Sequence, residues 1–269
     1  MNEFLGVDNI AFYIGNFAIY WYGIIMCLAI IVAIVVAVVF CKIRGVSTDI
    51  PIDIALAVVP IGILSARLFA VLFDKDLSIL QYFNFRTGGM SIIGAIIGGA
   101  VGLVLYCIIK KVKNPFLYFD ILAVVLILAQ AIGRWGNFFN NEVYGQVIES
   151  TSIFARFPYA VEVNGVYYQA LFLYESVLDL IGFGVLAVMF LMQSDSGYVT
   201  ASYLIYYGTI RTLLEPLRQQ QYILRLWGLP VSRVMSIIMI VAGLALLIYK
   251  LVMKHKGKGL KESNGKKGK

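Results

Sequence analysis

Seven long apolar runs joined by short polar connections constrain this 269-residue chain more than any other feature. They extend from about Phe17 to Cys41, Pro51 to Phe73, Gly88 to Ile109, Pro115 to Ile132, Gln169 to Met192, Tyr198 to Leu214 and Val231 to Met253. A helix needs roughly 20 mainly apolar residues to cross the hydrocarbon layer, and it satisfies its backbone hydrogen bonds internally. The pattern therefore predicts an all-α polytopic membrane protein with seven transmembrane helices. Composition agrees, because only 14% of residues are charged, against roughly a quarter in soluble domains.

Lys42 and Arg44 follow the first run, Lys110, Lys111 and Lys113 the third, and a lysine-rich tail the seventh. With seven spans these groups share one side, which the positive-inside rule makes cytoplasmic. The amino terminus is then expected outside and the carboxyl terminus inside. The first 16 residues contain Glu3 and Asp8 but no lysine or arginine, so they lack the basic region of a secretory leader and the first run is expected to stay in the protein. A single membrane domain, 1–253, is expected, with a basic cytoplasmic tail at 254–269 that is irregular from Gly257 onward. The longest polar connection, about 134–168, is expected to form a small external cap. Tyr159, Val161 and Val163, with Val166 and Tyr167 across Asn164-Gly165, have the pattern of a β-hairpin.

Several chemistries are excluded early. The sole histidine, His255, lies in the tail, which removes a buried Ser-His-Asp triad or a histidine-bound metal. Cys27, Cys41 and Cys107 lie in or beside apolar runs without metal-type spacing, so no metal site or disulfide framework is indicated. The net charge of +7 arises largely from the tail beside the last run, so membrane lipid, not nucleic acid, is the expected contact.

The polar groups that remain concentrate at Gly133-Arg134-Trp135-Gly136-Asn137-Phe138-Phe139-Asn140-Asn141-Glu142-Val143-Tyr144-Gly145, directly after the fourth run. An arginine near the bilayer centre costs about 2.5 to 3.5 kcal/mol even on a lenient insertion scale, so one that persists there faces a cavity, a partner or a ligand. Asn137 and Asn140 can satisfy backbone loosened by Gly133 and Gly136, or hold a ligand. Gly94-x-x-x-Gly98 and Gly98-x-x-x-Gly102 have the small-residue spacing of close helix packing.

The pattern G-R-x-G-N-F-x-N-x-E-x-x-G resembles the signature of the bacterial prolipoprotein diacylglyceryl transferases. Ile19-Tyr20-Trp21-Tyr22-Gly23, Ser65-Ala66-Arg67-Leu68, Phe172-Leu173-Tyr174-Glu175-Ser176 and the segment Arg211 to Arg218 resemble further elements of that family. The resemblance implies an enzyme of the bacterial cytoplasmic membrane. It would move diacylglyceryl from phosphatidylglycerol to the thiol of a lipobox cysteine in a prolipoprotein signal peptide, forming a thioether and releasing glycerol phosphate. No cofactor or metal is implied, since the lipid is itself the donor.

On this resemblance Arg134 and Arg211 are expected to hold the departing phosphate, because a guanidinium stays charged when dehydrated and offers paired donors. Arg211 could alternatively form a structural pair with Glu215. Tyr22 and Glu142 are expected to help remove the thiol proton, with interfacial anchoring and ion pairing as their respective alternatives. Asn137, Asn140, Gly145, Arg67, Glu215, Arg218, Tyr174 and Glu175 are the expected substrate-binding set, and Asp120 is expected either to orient the arginines or to serve in packing.

Two departures stand out. Gly88-Gly89-Met90-Ser91-Ile92-Ile93-Gly94-Ala95 carries Ile93 where the family has histidine or tyrosine, and Gln169-Ala170-Leu171 replaces a proline-containing lead. A catalytically impaired, lipid-binding relative is therefore one alternative. A small-solute transporter is another, although no repeated halves are visible.

Overall fold

The computed structural model describes residues 9–73, 79, 82–83, 89–192, 195–226 and 228–266. Glu3, Asp8, Gly88, Gln193 and the last three lysine-tail residues, 267–269, lie outside that set. Among the described residues there are seven α-helices: α1 (Trp21–Ile43), α2 (Asp49–Phe73), α3 (Ile92–Ile109), α4 (Pro115–Phe139), α5 (Leu171–Met192), α6 (Tyr198–Leu214) and α7 (Val231–Lys266). Five of them, α1, α2, α4, α5 and α7, are long and apolar enough to cross a membrane, which makes this a multi-pass membrane protein. Two fall short of that measure. The apolar part of α3 is Ile93–Ile109, and α6 has 17 residues, about 25 Å at 1.5 Å per residue.

The first apolar run begins as sheet. β1 (Ile10–Ile14) and β2 (Phe17–Tyr20) pair antiparallel, with Ile14 opposite Phe17. Gly15 turns the chain with φ of +59°, and the flanking β-branched and aromatic residues favour a pleated backbone. In the cap, β3 (Val147–Ile148), β4 (Ala160–Val163) and β5 (Val166–Gln169) form a sheet in the order β3-β5-β4. The expected hairpin is present, with Val163 opposite Val166 and left-handed φ values of 52° and 76° at Asn164 and Gly165. A last two-stranded ribbon, β6 (Arg225–Leu226) with β7 (Leu229–Pro230), precedes α7.

Two helices outrun their expected ends. α4 continues to Phe139, so Gly133 and Gly136 are helical and do not break the backbone as the motif implied. α7 continues to Lys266, through the stretch expected to be irregular. Its glycines, Gly257, Gly259 and Gly265, disfavour helix, but extending a helix already formed costs far less than nucleating one.

The chain divides into two compact units, Ala37–Tyr118 and the combination of Met1–Val36 with Phe119–Lys269. Within the former, α3 lays its glycines against α2. A Cβ at Gly98 would lie 2.3 Å from the Ser65 side chain, and one at Gly102 would lie 2.6 Å from the Ala57 carbonyl oxygen. Only hydrogen fits at such spacing, as expected for small-residue packing. Ser91 caps α3, accepting from the Gly94 N–H at 3.4 Å. Asp53 on α2 accepts a hydrogen bond from Tyr106 on α3 at 2.5 Å.

In the other unit Asp120, 1% exposed, caps α6 from α4. Its oxygens accept from the Gly197 N–H at 2.6 Å and from the Thr200 N–H at 2.8 Å. A carboxylate here satisfies amide groups that the first helical turn leaves open and complements the helix dipole. Asp120 thus has a capping role within the packing of α4 and α6.

Candidate active site

Polar residues in α4, α5 and α6 recur every fourth position within otherwise apolar sequence: Gln130 and Arg134 on α4, Glu175 and Asp179 on α5, and Tyr203, Tyr207, Arg211 and Glu215 along α6 and the 3-10 turn that follows it. That interval places each set on one helix face. The three faces meet. Nε of Arg134 lies 2.5 Å from Oε2 of Glu175, and Nη1 of Arg211 lies 2.5 Å from Oε1 of the same residue. Glu175 is 2% exposed, so one buried carboxylate holds both arginines on a shared centre.

Further contacts fix the pair. Arg134 donates from Nη2 to the Tyr207 hydroxyl at 3.3 Å, and Arg211 from Nη2 to Oε2 of Glu215 at 3.4 Å. Ser232 of α7 donates its hydroxyl to Glu215. One turn deeper, Gln130 donates to the Tyr203 hydroxyl at 3.1 Å, and the Tyr203 and Tyr207 rings stack with centroids 5.7 Å apart. Arg211 therefore takes part in the expected pair with Glu215 and also reaches the centre of the site. Each guanidinium has five N–H donors, so these contacts orient it without exhausting it.

Arg218 supplies a third cation. It follows the 3-10 turn Glu215–Leu217, and its charge is felt by Arg134, Arg211, Glu175 and Glu215. Its Nε is buried, and among the described residues no hydrogen bond reaches it. Burial, and then the neighbouring Arg211, pull its pKa below the usual guanidinium value. Such a donor favours the arrival of an anion. The segment is held by the cap: Gln146 donates through Nε2 to the carbonyl oxygen of Arg218 at 3.2 Å, and the Gln219 N–H reaches the Tyr144 carbonyl oxygen at 3.4 Å.

Tyr22 approaches from α1. Its ring lies over Gly136, where a Cβ would come within 2.6 Å of the tyrosine Cδ2, which is the physical need for glycine in the centre of the motif. Tyr22 lies near enough to Glu142 and Arg134 for their charges to act on it. Past the end of α4, Asn141 and Val143 both have left-handed φ values, 53° and 62°. For a β-branched residue this is costly backbone, of the kind found where the surroundings fix a loop in one shape. Between them, Glu142 accepts from Nδ2 of Asn140 at 3.4 Å. Burial raises the Glu142 pKa above the ordinary carboxyl value, opposed by the Asn140 hydrogen bond and by the charge of Arg218. Asn137 is 9% exposed, and its carbonyl oxygen accepts from the Glu142 N–H at 3.1 Å, which anchors the turn.

Three expected site residues have other engagements. Gly145 pairs with Gln169 through a 3.0 Å backbone hydrogen bond, and a Cβ there would meet the Gln169 side chain at 2.6 Å. Tyr174 donates to the Tyr159 carbonyl oxygen at 2.7 Å, fastening the cap to α5. Arg67 belongs to the unit Ala37–Tyr118, where it donates from Nη1 to the Gly89 carbonyl oxygen at 2.8 Å and from Nε to that of Tyr82 at 3.2 Å. Ile93 lies in the first turn of α3 in the same unit.

Tyr207, Asp179, Gln130, Tyr203, Ser232 and Gln146 escaped the sequence reasoning. The first four had a signal in the four-residue interval, which links Tyr207, Asp179 and Gln130 to Arg211, Glu175 and Arg134, and Tyr203 to Arg211 through two intervals. Ser232 and Gln146 had none, because their importance comes from long-range contacts.

The fold and the site define a multi-pass membrane protein with a buried arginine cluster suited to an anionic group. A sequence model described as prolipoprotein diacylglyceryl transferase matches residues 9–249, and the chain belongs to that family. It is 35% identical to the phosphatidylglycerol--prolipoprotein diacylglyceryl transferase of Listeria innocua serovar 6a over 91% of each chain. It is 36% identical to the Clostridium perfringens (strain 13 / Type A) protein named phosphatidylglycerol--prolipoprotein diacylglyceryl transferase 1, over 94% of this chain and 99% of that one. The Streptococcus uberis protein of the same activity is also 36% identical, over 90% of this chain and 95% of its own.

Proposed function

We propose that this protein transfers the diacylglyceryl group of phosphatidylglycerol to the cysteine thiol of a prolipoprotein lipobox. In that reaction sulfur forms a bond to the glyceryl carbon, the bond from that carbon to the phosphate oxygen breaks, and glycerol phosphate leaves with the electron pair. The thiol proton passes to a base. Negative charge grows on the departing phosphate, and preorganised donors aimed at such charge contribute about 2.7 to 4 kcal/mol each in water-poor sites.

The observation that carries this reading is the convergence of Arg134 and Arg211 on Glu175 with Arg218 beside them. The carboxylates hold the guanidiniums in place, and the remaining donors face the phosphate. Glu142 is the proposed base. A raised carboxyl pKa strengthens it, and an ordinary thiol near 8.5 needs such help at neutral pH. Tyr22 relays the proton or holds the headgroup, and Asn137 and Asn140 shape the pocket in which the headgroup hydroxyls sit. Gly145 and Tyr174 support the cap above it, while Arg67 braces the connection between α2 and α3. The lipid supplies the transferred group, so neither metal nor diffusible cofactor is needed.

In this proposal the body, residues 1–253, makes seven crossings, with α3 and α6 as the shorter ones, in the bacterial cytoplasmic membrane. The lysines after α1, α3 and α7 face the cytoplasm, the amino terminus lies outside, and the cap covers the outer end of the site. Incubation of purified protein with labelled phosphatidylglycerol and a lipobox peptide should yield a thioether-linked product. If a competent relative forms it in parallel and this chain does not, the activity is rejected. Ile93 raises the competing possibility of a lipid-binding relative without turnover. Retained lipid binding, no transfer, and recovery on Ile93→His would favour it.

A further inference from the structure

Asp179 is a buried acid that the proposed reaction leaves without a task. It lies on α5 one turn beyond Glu175, on the side away from the cap, and is 1% exposed. Among the described residues no hydrogen bond reaches either of its oxygens. Arg134 and Arg211 close their ion pairs on Glu175 and Glu215 instead. An enclosed carboxyl that receives no donor avoids the desolvation cost of a charge by keeping its proton, and the neutral acid then carries an O–H to give. Buried polar groups are nearly always hydrogen-bonded, so an open donor here calls for an acceptor from outside the chain.

The surroundings of Asp179 limit where that acceptor can come from. Beyond it α5 closes on its neighbours at Gly182, where a Cβ would lie 2.2 Å from the Tyr206 ring and 2.6 Å from the Ile127 side chain. A group that meets Asp179 therefore arrives from the side of the arginines. Four helical residues span about 6 Å, and Tyr207 stands one turn beyond Arg211 in the same direction along α6. Tyr207 accepts from Arg134 and keeps its own O–H as a second donor. In a phospholipid, the next strong acceptors met on going from the phosphate toward the chains are the two ester carbonyl oxygens, just past the glyceryl carbons. A neutral donor suits such an acceptor, whereas a carboxylate would repel it.

We infer that Asp179 and Tyr207 donate to the two ester carbonyl oxygens of the diacylglyceryl portion, so that the protein selects ester-linked over ether-linked phosphatidylglycerol. The arginines hold the phosphate end of the donor lipid and the O–H pair holds its glyceride end. The glyceryl carbon between them is then fixed from both sides for attack by sulfur.

The inference rests on the proposed transfer reaction, but its decisive measurement does not need turnover. Diacyl phosphatidylglycerol and its dialkyl ether analogue, matched in chain length, compete with a labelled diacyl lipid for the purified full-length protein. The wild type should favour the ester lipid roughly tenfold, the order expected when hydrogen bonds to buried donors are lost. Asp179→Leu, which keeps the size and removes the donor, should lose most of that preference, whereas Asp179→Asn retains an N–H donor and should keep it. Tyr207→Phe should lose part of it. Without lipid, Asp179→Leu should melt at or above the wild-type temperature, because it removes a buried polar group that has no partner. A structural role would weaken both lipids alike and leave their ratio unchanged. Equal binding of the two lipids by the wild type overturns the inference whatever the variants do, and so does a folded Asp179→Leu protein that keeps the preference or an Asp179→Asn protein that loses it. Absence of thioether product from the wild type would reject the transfer activity while leaving the lipid comparison intact.

Discussion

Two buried arginine environments in this protein show how similar side chains at membrane depth serve different ends. Arg67, fully buried in the unit Ala37–Tyr118, donates to the backbone carbonyl oxygens of Tyr82 and Gly89. These contacts secure a connection between helices. Arg134 and Arg211 meet a full carboxylate that each must share, with a third guanidinium nearby. Sharing fixes their direction and leaves N–H donors for a ligand. On the proposed function, a carboxylate shared by two guanidiniums prepares a binding group, and burial alone does not.

The largest test of that contrast is truncation on both sides. Arg134→Ala or Arg211→Ala should lower transfer about 10²- to 10³-fold, measured as thioether formed per folded protein, because each removes preorganised donors from the phosphate. Arg67→Ala should act chiefly on melting temperature, since stranded carbonyl groups cost about 1 to 3 kcal/mol each. If Arg67→Ala lost activity to the same degree with an unchanged melting temperature, the contrast between the two environments would be broken.

Glu142 sharpens the comparison at the base. Glu142→Gln should reduce transfer by about 10²-fold, the lower end for loss of a general base, and should remove the acidic limb of the pH–rate profile. Stability should move the other way. Burial raises the folded-state pKa of Glu142, so its favourable contribution is complete below the unfolded value and disappears as pH rises through the folded one. Thermal unfolding of Glu142→Gln should therefore match or exceed wild type at neutral and alkaline pH, with the advantage shrinking in acid. The smallest expected effect is that of Tyr207→Phe, which removes one acceptor from Arg134. A typical hydrogen bond contributes about 0.5 to 1.5 kcal/mol, so transfer should fall only a few-fold, read as a change in kcat/KM.

Much of the membrane architecture was legible because helix formation in an apolar medium depends on local properties, run length and composition. α2, α5 and α6 begin and end within a few residues of expectation. The β1–β2 hairpin was missed although Gly15-Asn16 is a recognised turn pair, because the apolar run masked the period-two pattern on either side. The continuation of α4 through Gly136 was also missed. Glycine disfavours helix by about 1 kcal/mol relative to alanine in isolation, but here it admits the Tyr22 ring, and tertiary packing outweighs that local preference. Arg134, Glu142 and Arg211 could be picked out because charge among apolar residues is conspicuous. Asp179 was just as conspicuous by type, yet nothing in its neighbours along the chain marks it as buried without a hydrogen bond among the described residues.

By itself, then, the order of residues determined that the chain lives in a membrane, that it builds mainly helices, that a hairpin closes at Asn164-Gly165, and that its motif belongs to a lipid-modifying family. Those properties follow from short-range energetics: burial of apolar area, backbone hydrogen bonding and turn preference. Only the tertiary structure decided that Glu175 is shared by two arginines, that Arg67 reaches the carbonyl oxygens of Tyr82 and Gly89, and that, among the described residues, no hydrogen bond reaches the Asp179 carboxyl. Electrostatic roles depend on distances between groups 36 to 77 positions apart in the chain, and such distances are set by how helices pack, not by any single helix.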